Sequence, residues 1–426
     1  MAKESSSSDK GRQFKEAKPS GLVIGAAREF VRMQLALKNK LHVSKEALAH
    51  LVNLPKNSGV ILISNHADEM DPRICLELSR LSGKQFISMC NREAFDELSG
   101  IAGWALQHLG HFSVERGAHD SHAKQYAIDV VKGGKHVLVI FPEGEIFYLN
   151  EEIQSFHSGA VEICMLAILQ KRQIDPQWQA FIVPMAIKYH HRGPIKKALD
   201  LRIKKMELRL ALSPSEKDSF SSRLRQIQKT LLAQEDLSHD VRIDLEKDLF
   251  EQIITTENTI LDRVKERHKE INVTPSHEID QSWQLSAAIK KEMEEIKKNE
   301  TDDSKHSSRV DKASEKKLQE ELIDLKEVAH LSSWRPDYYE GDISYDRISE
   351  AVLKLERELY RVKRPRQLTR RNVFVNISKP IDISTFLKDY ENDAHAFRHS
   401  FTRELQEKIQ AMVDDLVARH APHIKS

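Results

Sequence analysis

The chain has 426 residues, room for one large domain or roughly two to three ordinary ones. Lys plus Arg number 66 and Asp plus Glu 65, a balance that argues against a dedicated nucleic-acid binder and leaves at most a local basic face. With 31% charged and 6% aromatic residues, the composition is that of a soluble protein with much exposed helix.

The N-terminal stretch MAKESSSSDKGRQFKEAKPSG is polar and lacks the apolar core of a secretory signal, so residues 1–20 read as a disordered tail and the expected location is cytoplasmic. No run of ~18 apolar residues exists to cross a membrane. The longest candidate, Ala160–Leu169, is too short and carries Glu162. The three cysteines, Cys75, Cys90 and Cys164, are scattered through apolar contexts. They give neither a disulfide framework nor zinc spacing, and read as small buried hydrophobes in a reducing compartment.

From about Gly21 to Lys40, Ile24, Ala27, Val31, Leu35 and Leu41 keep near-helical spacing among Arg28, Arg32, Lys38 and Lys40. This predicts a helix, either lying on a membrane surface or packed on its own domain. Short apolar runs then predict buried strands at Gly59–Ser64, Gln85–Cys90, His136–Phe141 and Ala180–Tyr189, with a shorter one within Gly110–Arg116. Helical patterns fall between them at Pro72–Leu81, Ala123–Lys132 and Gly159–Lys171. The alternation predicts an α/β fold: a mixed, mostly parallel sheet flanked by helices.

After Pro194 the texture becomes rich in Lys, Glu, Leu and Arg, which predicts a helical, charged insertion over 194–367. Residues 299–317 are nearly devoid of apolar side chains and read as a flexible linker. A strand within Asn372–Ile383 and a last amphipathic helix from about Ala394 to Arg419 complete a core of 21–193 plus 368–426. The long helical insertion thus precedes the last strand.

Where the first strand ends, the chain reads Ser64-Asn65-His66, with Asp71-Pro72 five residues on. A bare H-x4-D is weak, because His306 and Asp311 repeat the spacing inside the polar linker. Position separates them. Ligands of open α/β sheets sit beyond the carboxyl ends of strands, where helices begin. There a histidine can serve as general base, and a carboxylate can fix its tautomer and stabilise the imidazolium. The alternative is that Asp71 merely caps a helix with Pro72 at its first turn. Asp68 and Glu69 are further carboxylates, less free to face the ring. No G-x-S-x-G, phosphate-loop or dinucleotide glycine pattern is present, so such a base would activate a substrate hydroxyl. His119 and His122 lack a plausible third metal ligand nearby and read as surface residues.

Three further stretches follow in order: GHFSVERG with Arg116, IFPEGE with Glu143 and Gly144, and IVPMAIKY with Pro184 inside an apolar strand. Together with Asn65, His66 and Asp71 they resemble the four blocks of the glycerolipid acyltransferase family, which includes 1-acylglycerol-3-phosphate and glycerol-3-phosphate acyltransferases. Phe156–Ile163 and the strand near Ile377 are also similar to that family. The resemblance covers about Leu41–Tyr189 and Val373 to near the C-terminus.

It implies an O-acyltransferase moving a fatty acyl group from a CoA or acyl carrier protein thioester to a glycerol-phosphate or lysophospholipid hydroxyl, without a metal or other cofactor. His66 would be the base and Asp71 its orienting partner. Asn65, Arg116, Glu143 and Gly144 would bind substrate, Arg116 through the acceptor's phosphate. Such members often follow F-P-E-G with a small hydroxyl residue and Arg, where this chain has Glu145 and Ile146. A Lys often found after their second strand is absent, and Arg92 stands as its replacement. The implied partners are a thioester donor, a glycerolipid acceptor and a membrane surface, with no nucleic acid and an unidentified protein partner for the insertion. The competing class is a non-enzymatic helical interaction or membrane-scaffold protein on a degenerate acyltransferase domain.

Overall fold

A computed structural model gives the fold. It describes residues 14–118, 120–213, 218–239, 241, 247–274, 276–302, 309–340, 343–362 and 365–420, with the side chains of 297–302 and 309–313 outside that description. In chain order the first half runs α1 (Gly21–Lys38), β1 (Asn39–Val43), α2 (Lys45–Val52), β2 (Gly59–Ser64), α3 (Asp71–Ser82), β3 (Phe86–Asn91), α4 (Ile101–Leu109), β4 (His111–Val114), α5 (Ser121–Gly133), β5 (Val137–Ile140), α6 (Gly159–Arg172) and β6 (Ala180–His191). Then come α7 (Lys196–Arg209), α8 (Phe220–Ser238), α9 (Leu249–Arg267), α10 (Glu278–Asp302), α11 (Arg309–Leu331), α12 (Tyr345–Tyr360), β7 (Arg371–Ile377), β8 (Ile381–Asp382), α13 (Leu387–Asn392) and α14 (Ala394–His420).

The strands form one sheet in the order β1-β7-β6-β2-β5-β3-β4, with β8 also on β6. Strands β6, β2, β5, β3 and β4 run parallel, while β7 and β8 are antiparallel to β6, and β1 is parallel to β7. The fold is therefore α/β with a mixed, mostly parallel sheet, as the alternation predicts. Central strands buried on both faces need continuous apolar runs, which is why β2 and β5 are legible without alternation. Ile61 and Ile63 face a cluster with α5, α6 and α14, and Val60 and Leu62 face one with α1, α2 and α3. The helices between β6 and β7 share their own apolar cluster, joined by Phe147 and Leu149.

Pro184 keeps its place inside β6 because of a change of partner. β6 pairs with β7 from Met185 onward and with β8 at Phe181–Ile182, so Pro184 falls between the two ladders. Its carbonyl accepts from Ser378 on that side, so the N–H it lacks would have faced the same gap.

Four expectations need correction. The helix of α1 stops at Lys38, and residues 39–43 are an edge strand whose partners are some 330 positions away in sequence. The stretch at 372–383 is two strands, broken at Pro380. Residues 299–302 and 309–317 are helical parts of α10 and α11 rather than linker, and 303–308 lie outside the described residues. Lys, Glu and Ala sustain helix without apolar neighbours, so poverty in apolar residues does not mark irregularity. Of the N-terminal tail, residues 1–13 lie outside the described residues, but Phe14–Ala17 is ordered against the edge strand β4. Lys15 N donates to Ser113 Oγ at 2.8 Å, and Lys15 O accepts from Ser113 N at 2.9 Å. This covers an otherwise open sheet edge.

Candidate active site

Strands β2, β5 and β6 are parallel neighbours, so their carboxyl ends open side by side and the loops after them converge. His66 stands two residues beyond β2. Its Nδ1 lies 2.8 Å from Asp71 Oδ2, and the ring stacks on Phe141 at 4.2 Å. Among the described residues nothing hydrogen-bonds Nε2, and 15% of the side chain reaches solvent.

Asp71 is fully buried and does not cap α3. Its Oδ2 accepts from His66 and from Asp68 N (3.0 Å), and Oδ1 accepts from Tyr189 Oη (2.6 Å). The first-turn N–H groups of α3 bond to Met70 O instead. All of Asp71's contacts therefore serve the His66 loop, which disposes of the capping alternative.

Asn65 turns its amide inward. Nδ2 donates to Ile187 O at 2.9 Å and Oδ1 accepts from Ile187 N at 2.8 Å. The β2–β6 ladder ends at Ser64–Met185, so the Asn65 side chain supplies its next rung. Asn150 repeats the device one step on, with both amide atoms 2.7 Å from Tyr189's backbone. Asn65, expected at the substrate, thus holds the loop to β6.

Glu143, three residues beyond β5, is also buried. Its Oε1 accepts from His66 N (2.7 Å) and its Oε2 from Gln154 N (3.0 Å). Burial, reinforced by nearby Asp71, pushes this carboxyl up to about 8 against those two N–H donors. Gly144 follows at φ +73, a conformation that L side chains avoid, and a Cβ there would sit 3.2 Å from His157 and Trp283.

Arg116 forms an ion pair with Glu145. Its guanidinium also lies over Trp283, 5.6 Å from the ring centroid. Arg92 is buried and pairs with Asp96 at 2.8 Å. Trp283 belongs to α10, so the insertion is part of this site. At Gly117 an added Cβ would lie 2.2 Å from the Trp283 carbonyl carbon. Lys290 of the same helix pairs with Glu93, and Asp280 lies 3.5 Å from His157.

Of the residues singled out from sequence, the structure brings His66, Asp71 and Glu143 into contact, with Gly144 beside them. It missed Tyr189, Asn150, Trp283 and Arg371, which donates to Asp68 Oδ2 at 2.8 Å and stacks on Tyr189. Their only signal is polar or aromatic side chains next to apolar runs. Glu327, His330 and Glu358 bring ligand atoms within 4.8 Å of one another, but in the insertion, where Arg357 already bonds Glu358. His119 lies outside the described residues. No helix among the described residues is long and apolar enough to cross a membrane.

The acyltransferase family model matches residues 48–188, a span that holds His66, Asp71, Arg116 and Glu143 and ends one residue before Tyr189. No curated protein matches the chain.

Proposed function

We propose that the protein, whose residues 48–188 match the acyltransferase family model, transfers a fatty acyl group from a CoA or acyl carrier protein thioester to a hydroxyl of a glycerol-phosphate or lysophospholipid acceptor. The observation that carries this reading is the His66 ring, tied at Nδ1 to a buried Asp71 and open at Nε2, above the carboxyl ends of three parallel strands.

In the proposed reaction, Nε2 takes the acceptor hydroxyl's proton as that oxygen bonds to the thioester carbonyl carbon. The tetrahedral adduct collapses, the C–S bond breaks, and the imidazolium returns the proton to the departing thiolate. Asp71 faces the positive charge that develops on the ring, and Tyr189 and Asp68 N hold Asp71 in place. Glu143 fixes the backbone at His66, so the ring sits on a loop anchored at three points. The helices of 194–367 are read as an elaboration of this domain that closes the acceptor side.

Peripheral membrane association is part of the proposal. α1 buries Ile24, Val31 and Leu35 but exposes Leu22, Phe30, Met33 and Leu37. α4 and the turn before it expose Leu98, Ile101 and Trp104, and α1 enters against the end of α4 through Lys18 N–Gln107 O and Ser20 N–His108 O bonds. Two neighbouring helices with apolar outer faces suit a bilayer surface from which a lipid acceptor is drawn.

The test is thiol release from long-chain acyl-CoA and acyl carrier protein thioesters with a panel of acceptors. Acceptor-dependent release that disappears in a folded His66→Ala variant is expected. Release that survives the substitution sinks His66 as the base.

A further inference from the structure

Which acceptor the site admits is written in its ion pairs. Arg92 and Arg116 follow the adjacent parallel strands β3 and β4, which places two guanidiniums on the same side of the crevice. A phosphate monoester carries close to two negative charges, and it is recognised by guanidinium forks with free N–H groups. Here the chain's own carboxylates hold both. Arg92 is paired with Asp96, and Arg116 with Glu145. Lys290, the cation that α10 brings to this side, pairs with Glu93.

Arg92 Nε is buried without a hydrogen-bond partner, but a single enclosed N–H is not a fork. Glu145 is also doubly held, since its other oxygen accepts from Ile146 N at 2.9 Å. The Trp283 ring also covers the Arg116 guanidinium, 5.6 Å from its centroid. That cover is built in, because α10 docks on Gly117 where no Cβ fits. A phosphate entering here would have to expel Glu145, two residues from the buried Glu143 carboxyl, and so gather negative charge beside it.

We propose that Glu145 is the specificity-determining residue of the acceptor site. Its carboxylate engages the Arg116 fork at Nη1, so the acceptor is a hydroxyl-bearing lipid without a phosphate monoester. The proposal rests on the acyltransferase reading and moves its acceptor class away from phosphate monoesters, toward lysolipids with a capped phosphate or none. Trp283 completes the device as the wall that the insertion adds.

The test has two independent readouts. In calorimetric titration with sn-glycerol 3-phosphate, the wild-type protein is expected to give no saturable binding. Glu145→Gln, which keeps the side chain's shape and removes its charge, is expected to gain it, with at least about a tenfold rise in affinity. The double variant Arg116→Ala/Glu145→Gln should lose the gain. Glu145→Ser serves the same purpose if the Gln variant does not fold.

In acyl transfer, the wild type should favour monoacylglycerol and lysophosphatidylcholine over lysophosphatidate. Glu145→Gln should move that ratio toward lysophosphatidate by about tenfold or more. Wild-type binding of glycerol 3-phosphate that Glu145→Gln does not improve overturns the proposal. So does an acceptor ratio that ignores the substitution. If no acceptor is acylated at all, the acyltransferase reading fails, while the titration still decides whether Glu145 blocks the Arg116 fork.

Discussion

His66 and Asp71 are joined at 2.8 Å, and both oxygens of the buried Asp71 carboxylate are spent on holding that bond in one geometry. If the pair is the proposed catalytic machinery, Asp71→Asn keeps the volume and loses the charge that faces the ring. The expected result is a fall in kcat of about a hundredfold to ten-thousandfold with little change in KM. Tyr189→Phe should be milder, since it removes one of Asp71's three donors. Its expected effect is about a tenfold loss in kcat and a lower Tm, because Asp71 Oδ1 is left buried without its partner. Equal losses in binding and turnover for both variants would count against the orienting role.

Asn65 makes a different prediction. Its amide is a side-chain rung on the β6 ladder, so Asn65→Ala strands the N–H and C=O of Ile187. Leaving buried backbone groups unpaired costs about 1–3 kcal/mol each, less where water can enter. Chemical denaturation of the variant should show about 2 kcal/mol lost, with activity falling as the His66 loop loosens. A variant as stable as wild type with an altered acceptor KM would restore Asn65 to the substrate.

These two residues also show what the sequence could and could not disclose. His66 and Asp71 are five positions apart, and it is their place at a strand end, not the spacing that His306 and Asp311 share, that put them at a crevice. The same spacing could not say that Tyr189 completes the pair, because the contact exists only once β6 lies beside β2. Trp283 was less legible still. It comes from a charged helical stretch whose apolar stripe runs through Leu285, Ile289 and Met293, and it reaches the site through the docking of α10 on Gly117. The apolar runs were readable because burial on both faces leaves no polar position, whereas β1, with Lys40 and His42, reads as the tail of a helix. Arg116 was singled out by sequence as a phosphate holder, and its pairing with Glu145 could not be read from the sequence.

The exposed faces of α1 and α4 predict lipid binding that does not depend on catalysis. Replacing Phe30 and Trp104 by Ser removes two half-exposed apolar groups. Neither substitution opens a core cavity, so stability should stay within about 0.5 kcal/mol per site. Co-flotation with anionic liposomes should drop by about tenfold or more, given roughly 1.5–3 kcal/mol for each large apolar side chain withdrawn from the acyl boundary. Undiminished flotation would place the contact surface elsewhere.

The insertion carries a pH-sensitive element of its own. Glu257 in α9 is buried, and its Oε1 accepts from Ser332 Oγ at 2.7 Å. Burial, with a small push from Glu278, raises its carboxyl from 4.5 to about 8. The folded chain therefore keeps a proton that the unfolded chain releases as pH rises from 4.5 toward 8. The unfolded state binds fewer protons across that window, so this group weakens the fold as pH rises, by at most about 1.4 kcal/mol per unit. Glu257→Gln keeps an oxygen to accept from Ser332 and removes the titration. Thermal melts should show the variant close to wild type at pH 4.5 and more stable than wild type at pH 8. A wild-type minus variant difference that does not change between those two pH values would mean that Glu257 is ionised in the fold, with a counter-charge reaching it.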